Sequence, residues 1–209
     1  MLPPTIPIFP LPNVVLFPGV FLPLHIFEDR YRAMVRDALA GDRLIGLVLL
    51  RPGWEDSYEG TPEVYGVGCA GLITHSERLE DGRYNIVLHG LTKFCIRGEE
   101  AEAGGYRRAR VETVDEPAGE AVRRVIRERR HRIEELVAPL IDSGDQHLPD
   151  AMPEDELVNA LSQYLELEPV ERQALLERPD VIARCDALIE LLEMKALLPH
   201  RSWAGANKQ

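Results

Sequence analysis

IPIFPLPNVVLFPGVFLPLHIF, residues 6–27, runs for 22 residues without one charged side chain. A helix that crosses a bilayer needs about 20 apolar residues with every backbone hydrogen bond closed internally, so length alone admits one here. The prolines refuse it. Pro7, Pro10, Pro12, Pro18 and Pro23 would each remove a backbone donor and press on the preceding turn. No Lys or Arg precedes the run to form a secretory n-region, and no small-residue cleavage pattern intervenes before Glu28. The stretch therefore reads as the interior of a β-rich core. Brief strands are expected at 6–9, 14–17 and 20–24, with Asn13 and Gly19 supplying turns.

Outward from this stretch the pattern stays strand-like to residue 114. LIGLVLL at 44–50 is an unbroken apolar run, as in a strand buried on both faces. VYGVGCAGLIT and YNIVLHG follow, joined through Glu80, Asp81 and Gly82, and Asp-Gly between β-rich runs signals a hairpin. TKFCIRG and YRRARVETV supply two more short strands. Gly66, Gly68 and Gly71 suggest bulges or tight bends of a small barrel. One helix interrupts early: Tyr31, Met34, Val35, Ala38 and Leu39 share a face, with Glu28 and Asp29 at its start and Gly41 at its end.

After Pro117 the period becomes helical. Val122, Val125, Ile126, Ile133, Leu136, Val137 and Leu140 trace one apolar stripe. Residues 155–165 read as a second helix. Pro169 suits the first turn of a third, and Pro179 opens a fourth. Four such helices predict a small bundle. The expected division is a β subdomain over 1–116 with one early helix, a helical subdomain over 117–198, and a flexible tail over 199–209.

Composition bounds the function. A chain of 209 residues, 45% hydrophobic, hides about 70% of its unfolded surface and needs no disulfide staples. Cys69, Cys95 and Cys185 lie far apart, which disfavours a zinc site and suits a reducing cytosol. The formal net charge of -11 repels nucleic-acid phosphates at long range.

Three stretches in order, IPIFPLPNVVLFPGVFLPLHIFEDRYRAMV, VYGVGCAGLITHSERLEDGRYNIVLHGLTKFCI and ERQALLERPDVIARCDALIELLE, resemble the LON substrate-binding domain. That is the amino-terminal domain of ATP-dependent Lon proteases, and it also occurs as a free-standing bacterial protein. The resemblance implies an α+β fold, a PUA-like mixed β pseudo-barrel followed by a helical bundle, and a role in gripping protein substrates. It implies no catalytic residues. The sequence has no G-x-x-x-x-G-K-[ST] phosphate loop, and the peptidase domain has no room, so the chain is expected to be no enzyme and to need no cofactor.

Asp29 and Arg30 match a charged pair frequent in that family; ordinary first-turn capping is their other reading. Trp54 and Tyr58 stand in the Gly-, Pro- and acid-rich loop at 51–63, either as apolar anchors for a partner or folded back on the barrel. With Phe27 and Tyr31 these residues form the expected polypeptide-binding surface. RRVIRERRHR at 123–132 holds six arginines and is the case for the alternative, an RNA-binding PUA-like protein. Its apolar positions and neighbouring glutamates read equally as a solvated helix face with i,i+4 pairing. The six histidines show no metal-ligand spacing. The partners expected are unfolded or client polypeptides, with neither membrane nor nucleic acid, in the cytoplasm.

Overall fold

The computed structural model describes residues 2–57, 60–100, 104–140 and 152–197, the side chains of 56 and 57 excepted. Six strands and six α-helices lie among them: β1 (Thr5–Leu11), β2 (Phe21–Ile26), α1 (Asp29–Ala40), β3 (Leu44–Leu49), β4 (Val67–Arg78), β5 (Tyr84–Glu99), β6 (Arg108–Val114), α2 (Glu120–Arg127), α3 (Arg130–Val137), α4 (Glu154–Tyr164), α5 (Pro169–Leu176) and α6 (Val181–Leu197). No helix among the described residues is long and apolar enough to cross a membrane. Residues 6–27 form β1, β2 and the turns between them.

The sheet runs β2-β5-β4-β3-β1-β6, and β5 also pairs with β6. That extra pairing closes β5, β4, β3, β1 and β6 into a ring, the mixed pseudo-barrel expected of this α+β fold. The pair β1–β3 is parallel, Ile8 opposite Gly46, and the other pairs are antiparallel. β5 makes closure possible by its length. Its first half, Tyr84 to His89, pairs with β2, while its second half, Lys93 to Glu99, pairs with β6.

Two runs expected to be separate strands, YNIVLHG and TKFCIRG, are thus one strand. The register slips at Leu91, where Gly71 opposes Gly90 but Ala70 opposes Thr92, and such a bulge bends a strand without ending it. The expected strand at 14–17 is not formed. Val15, Leu16 and Phe17 are buried, yet the segment joins no ladder. It passes over β5 at Gly90, where a Cβ would strike the Phe17 carbonyl oxygen.

β3 is buried on both faces, as its unbroken apolar run predicts. Ile45 and Leu47 enter one core with Phe9, Tyr31, Met34 and Val35, beneath α1. Val48 enters another with Ile6, Ile8, Ala70 and Phe94. Gly46 lies on that second side because a Cβ there would come within 2.8 Å of both Ile6 and Phe94. The β4–β5 hairpin turns at Leu79–Arg83: the Gly82 N–H donates to the Leu79 carbonyl at 2.9 Å, and φ at Gly82 is 82°, the left-handed region in which glycine is unstrained. α1 begins and ends where expected, but Gly41 is not left-handed (φ -119°). That conformation falls on Arg43, φ 60°, held by a bond from its Nε to the Ile73 carbonyl.

The chain divides into two compact units: residues 1–116 with 159–178, and 117–158 with 179–209. A single cut after residue 116 therefore misplaces residues 159–178. They are fastened to the sheet by polar bonds that no apolar periodicity reveals. Asn159 donates to the Pro18 carbonyl (3.0 Å), the Tyr164 hydroxyl to the Phe21 carbonyl (2.7 Å), and Gln173 to the Val67 carbonyl (3.0 Å). Lys93, 2% exposed, pairs with Glu116 at 2.8 Å and donates to the Arg178 carbonyl.

In the second unit α2, α3 and α6 pack together. The single stripe from Val122 to Leu140 is carried by two helices and a short 3-10 turn, with a break at Glu128–Arg129 where the Arg129 N–H reaches back only to Ile126. Among the described residues five α-helices therefore follow residue 117, one more than the four expected. The expected tail, 199–209, lies outside the described residues.

Candidate functional site

β2 hangs on β5 outside the closed ring, so it is the sheet's edge strand. Its side chains alternate. Leu22 and Leu24 lean on the core beneath α1, while Phe21, Pro23 and His25 are exposed on the other face. This outer face is built in three rungs from the register of β2, β5 and β4: Phe21 opposite His89, Pro23 opposite Val87 and His75, His25 opposite Asn85 and Glu77.

The rungs differ in chemistry. The Phe21 ring, 53% exposed, stacks on His89 at 4.5 Å. Pro23, Leu24, His75, Ile86 and Val87, with His25 and Asn85, line an open hollow of about 350 Å³. The last rung is a polar relay: Asn85 Nδ2 donates to Glu77 (3.0 Å), and its Oδ1 lies 2.8 Å from His25 Nδ1. Arg83 Nη1, which can only donate, lies 3.1 Å from His25 Nε2. That geometry puts the proton of the neutral ring on Nδ1. Arg83 is steadied by Asp81 at 2.6 Å, whose carboxyl is held below the ordinary range first by the Arg83 backbone N–H and then by its guanidinium. The hollow is therefore apolar with a fixed polar border. Such a surface grips by area and shape and makes few directional demands.

The residues predicted from sequence fall at different places. Phe27 is 62% exposed, just past β2, with its ring 6.4 Å from that of His25. Asp29 and Arg30 open α1. Asp29 is 94% exposed and pairs with Arg32, while Arg30 pairs with Glu28 and lies 4.6 Å above the Tyr31 ring. Tyr31 is buried at 4% exposure against Phe9, so it is a core residue and offers no area to a partner. Trp54 is half-buried in a 3-10 turn, Trp54–Ser57, on the connection from β3 to β4. Tyr58 lies outside the described residues. Phe21, Pro23 and Val87 were not singled out by the sequence. The alternation in FLPLHI was the available signal, but which face looks outward depends on β2 being an edge.

The arginine run is largely engaged. Arg123 meets Asp155 (2.9 Å), Arg127 meets Glu154 (2.5 Å), Arg129 meets Asp186, Arg130 meets Glu134 (2.8 Å) and Arg132 meets Glu193 (2.6 Å). Among the described residues no group of three or more His, Cys, Asp or Glu could hold a metal ion. Cys185 is buried, and burial pushes its thiol up to about 11, which makes it a poor nucleophile at neutral pH.

Comparison with known proteins agrees with this architecture. The family model for the ATP-dependent protease La (LON) substrate-binding domain matches residues 5–194. Among curated relatives, Lon protease 2 of Myxococcus xanthus is 28% identical over 93% of this chain and 24% of its own length. Lon protease 2 of Syntrophobacter fumaroxidans is 32% identical over 87% of this chain and 23% of its own. The chain thus spans about a quarter of the curated relatives it matches. Two solved structures share the fold. The N-terminal domain of Mycobacterium avium complex Lon protease aligns with TM-score 0.68 at 17% identity, covering 90% of this chain and 98% of that one. A Lon N-terminal domain protein from Xanthomonas campestris aligns with TM-score 0.58 at 21% identity, covering 93% and 99%.

Proposed function

The chain belongs to the LON substrate-binding domain family, and from that premise we propose that it is a non-enzymatic module that recognises unfolded or exposed apolar segments of other proteins. The observation that carries this reading is the outer face of β2 and β5. Phe21 and Phe27 are more than half exposed. Phe21 leads into the apolar hollow at Pro23 and Val87, and Phe27 stands on the far side of the polar rung of His25 and Asn85. Exposed aromatic area of this kind marks an interaction surface. Phe27 lies just past β2, with Asp29 and Arg30 following it at the start of α1; Trp54 and Tyr58, on the loop after β3 in the sequence, are proposed as further apolar contacts. The absence of a phosphate loop from the sequence supports a role without ATP hydrolysis, and its free cysteines suit the cytosol.

The RNA reading is the weaker one. Its carrier, the arginine run, is occupied by carboxylates of the same unit, and phosphate contacts would have to displace them.

The test is fluorescence anisotropy with labelled, reduced and unfolded casein. Wild type should bind, and Phe27→Ala combined with Trp54→Ala should lose about tenfold in affinity, on the scale of aromatic interface contacts. Circular dichroism establishes that the double variant is folded. Absence of wild-type binding would refute the proposal, and unchanged affinity of the folded variant would move the site elsewhere.

A further inference from the structure

Edge strands expose unpaired backbone groups, and folded proteins usually blunt them with charges, prolines, bulges or a covering element. β2, FLPLHI, carries no charged residue and a single proline, Pro23, which removes one N–H and leaves the groups on either side of it. Which of its backbone groups look outward follows from the ladder. The Gly90 N–H donates to the Val20 carbonyl at 2.9 Å, so Val20, Leu22, Leu24 and Ile26 turn their backbone groups toward β5. Phe21, Pro23 and His25 turn theirs away. The assignment is consistent with Pro23, which has no N–H to give and is tolerated on the outward side of an edge. One outward group is already used, the Phe21 carbonyl, which accepts the Tyr164 hydroxyl at 2.7 Å. Beyond it lie the Pro23 carbonyl and the N–H and carbonyl of His25.

The side chains make the same point. Leu22 and Leu24 belong to the core side but are only half-buried, because nothing stands beyond β2 in the sheet order. On the other face are Pro23 and His25, both exposed. A strand laid along this edge would cover apolar surface on both faces at once.

We propose that the ligand of this domain binds as an added strand along β2, an extended, uncharged apolar run of about six residues from another polypeptide, hydrogen-bonded to the backbone of Pro23 and His25. This rests on the polypeptide-recognition reading above and specifies its mode. The occupant is a foreign segment and not a second copy of this chain. A six-residue edge buries far less than the roughly 1,200 Å² of a stable specific interface, and two chains of formal net charge -11 repel. Weak, reversible capture is what such an edge supports. Because the core-side flank of β2 is apolar at Leu22 and Leu24 and the outer flank is apolar at Pro23 and Val87, the guest gains from apolar side chains on both of its faces. Runs of that kind lie in protein interiors and become available when a protein unfolds. Main-chain bonds ask nothing of side-chain identity, so such an edge would accept many different sequences.

The test uses the wild-type chain and a fluorescein-labelled peptide with a core of about six Val, Leu and Thr residues, in three forms: unmodified, N-methylated at odd core positions, or N-methylated at even ones. An added strand presents alternate N–H groups to its host, so one methylated form should lose at least about tenfold in affinity while the other stays within about twofold. The companion variant is His25→Pro, which removes the outward N–H and should weaken binding comparably, with circular dichroism to establish that it is folded. Equal affinity of both methylated peptides, whether retained or lost, overturns strand addition. So does binding of unfolded casein without binding of the unmodified peptide, which leaves polypeptide recognition standing. Failure to bind either probe removes both.

Discussion

At Gly90 a single hydrogen in place of a methyl lets two chain segments meet. The Phe17 carbonyl comes down where a Cβ would stand, and on either side Gly19 donates to the Gly90 carbonyl (2.8 Å) while Gly90 donates to Val20 (2.9 Å). The obstacle is backbone bonded into the fold, so it cannot swing aside as a side-chain tip would. Gly90→Ala should therefore cost about 3 kcal/mol or more, at or above the upper end of ordinary overpacking, seen as a fall in the urea midpoint. Lys93 is a second such residue. It is buried, with Glu116 13% exposed beside it. Lys93→Met should cost about 3–5 kcal/mol, because it removes one partner of a buried ion pair and the donor to the Arg178 carbonyl. Urea melts would show it, and hydrogen exchange should quicken first in α5, which that carbonyl helps to hold.

At the scale of elements, α2 and α4 are joined by Arg127 and Glu154, the latter's side chain 10% exposed. The guanidinium bond is the main cause that holds the Glu154 carboxyl below its ordinary value. The sign follows from linkage: a carboxyl with a depressed folded-state value contributes stability above its unfolded value, about 4.3, and loses it as pH falls through the folded one. Arg127 is half-exposed, so the contribution stays on the surface scale. Glu154→Gln should lower stability at pH 7 by about 0.5–1 kcal/mol. The gap between variant and wild type should narrow in urea melts as pH falls below the unfolded value, and a gap that stayed constant under acidification would disprove the assignment.

For the whole molecule, charge is distributed so that its one dense cationic run is neutralised locally. The chain carries 24 Lys and Arg against 35 Asp and Glu, and the arginines of α2 and α3 mostly face glutamates and aspartates of their own unit. A phosphate backbone would have to compete with these carboxylates for the arginines of that run. Gel-shift experiments with single-stranded and duplex RNA at low salt should show no complex at micromolar protein; a salt-sensitive shift would restore the RNA reading.

Much of this was legible in the sequence because it depends on local patterns. Five prolines in residues 6–27 exclude a long helix whatever the surroundings, the Asp-Gly at 81–82 makes a hairpin turn by its own backbone freedom, and the α1 stripe buries Tyr31, Met34, Val35 and Ala38 by periodicity alone. The differences have two origins. The burial of Tyr31 is already written in the local stripe of α1, whereas β5 reads as two strands because bulges and pairings with two partners are properties of a sheet. Residues 159–178 join the barrel through side chains that reach distant carbonyls. The candidate site belongs to this second class. FLPLHI announces alternation, but an alternating strand does not say whether another strand lies beside it. Only the closure of β5 onto β6 leaves β2 outside the ring with one edge unpaired, and that choice is made by long-range hydrogen bonding among segments up to about a hundred residues apart.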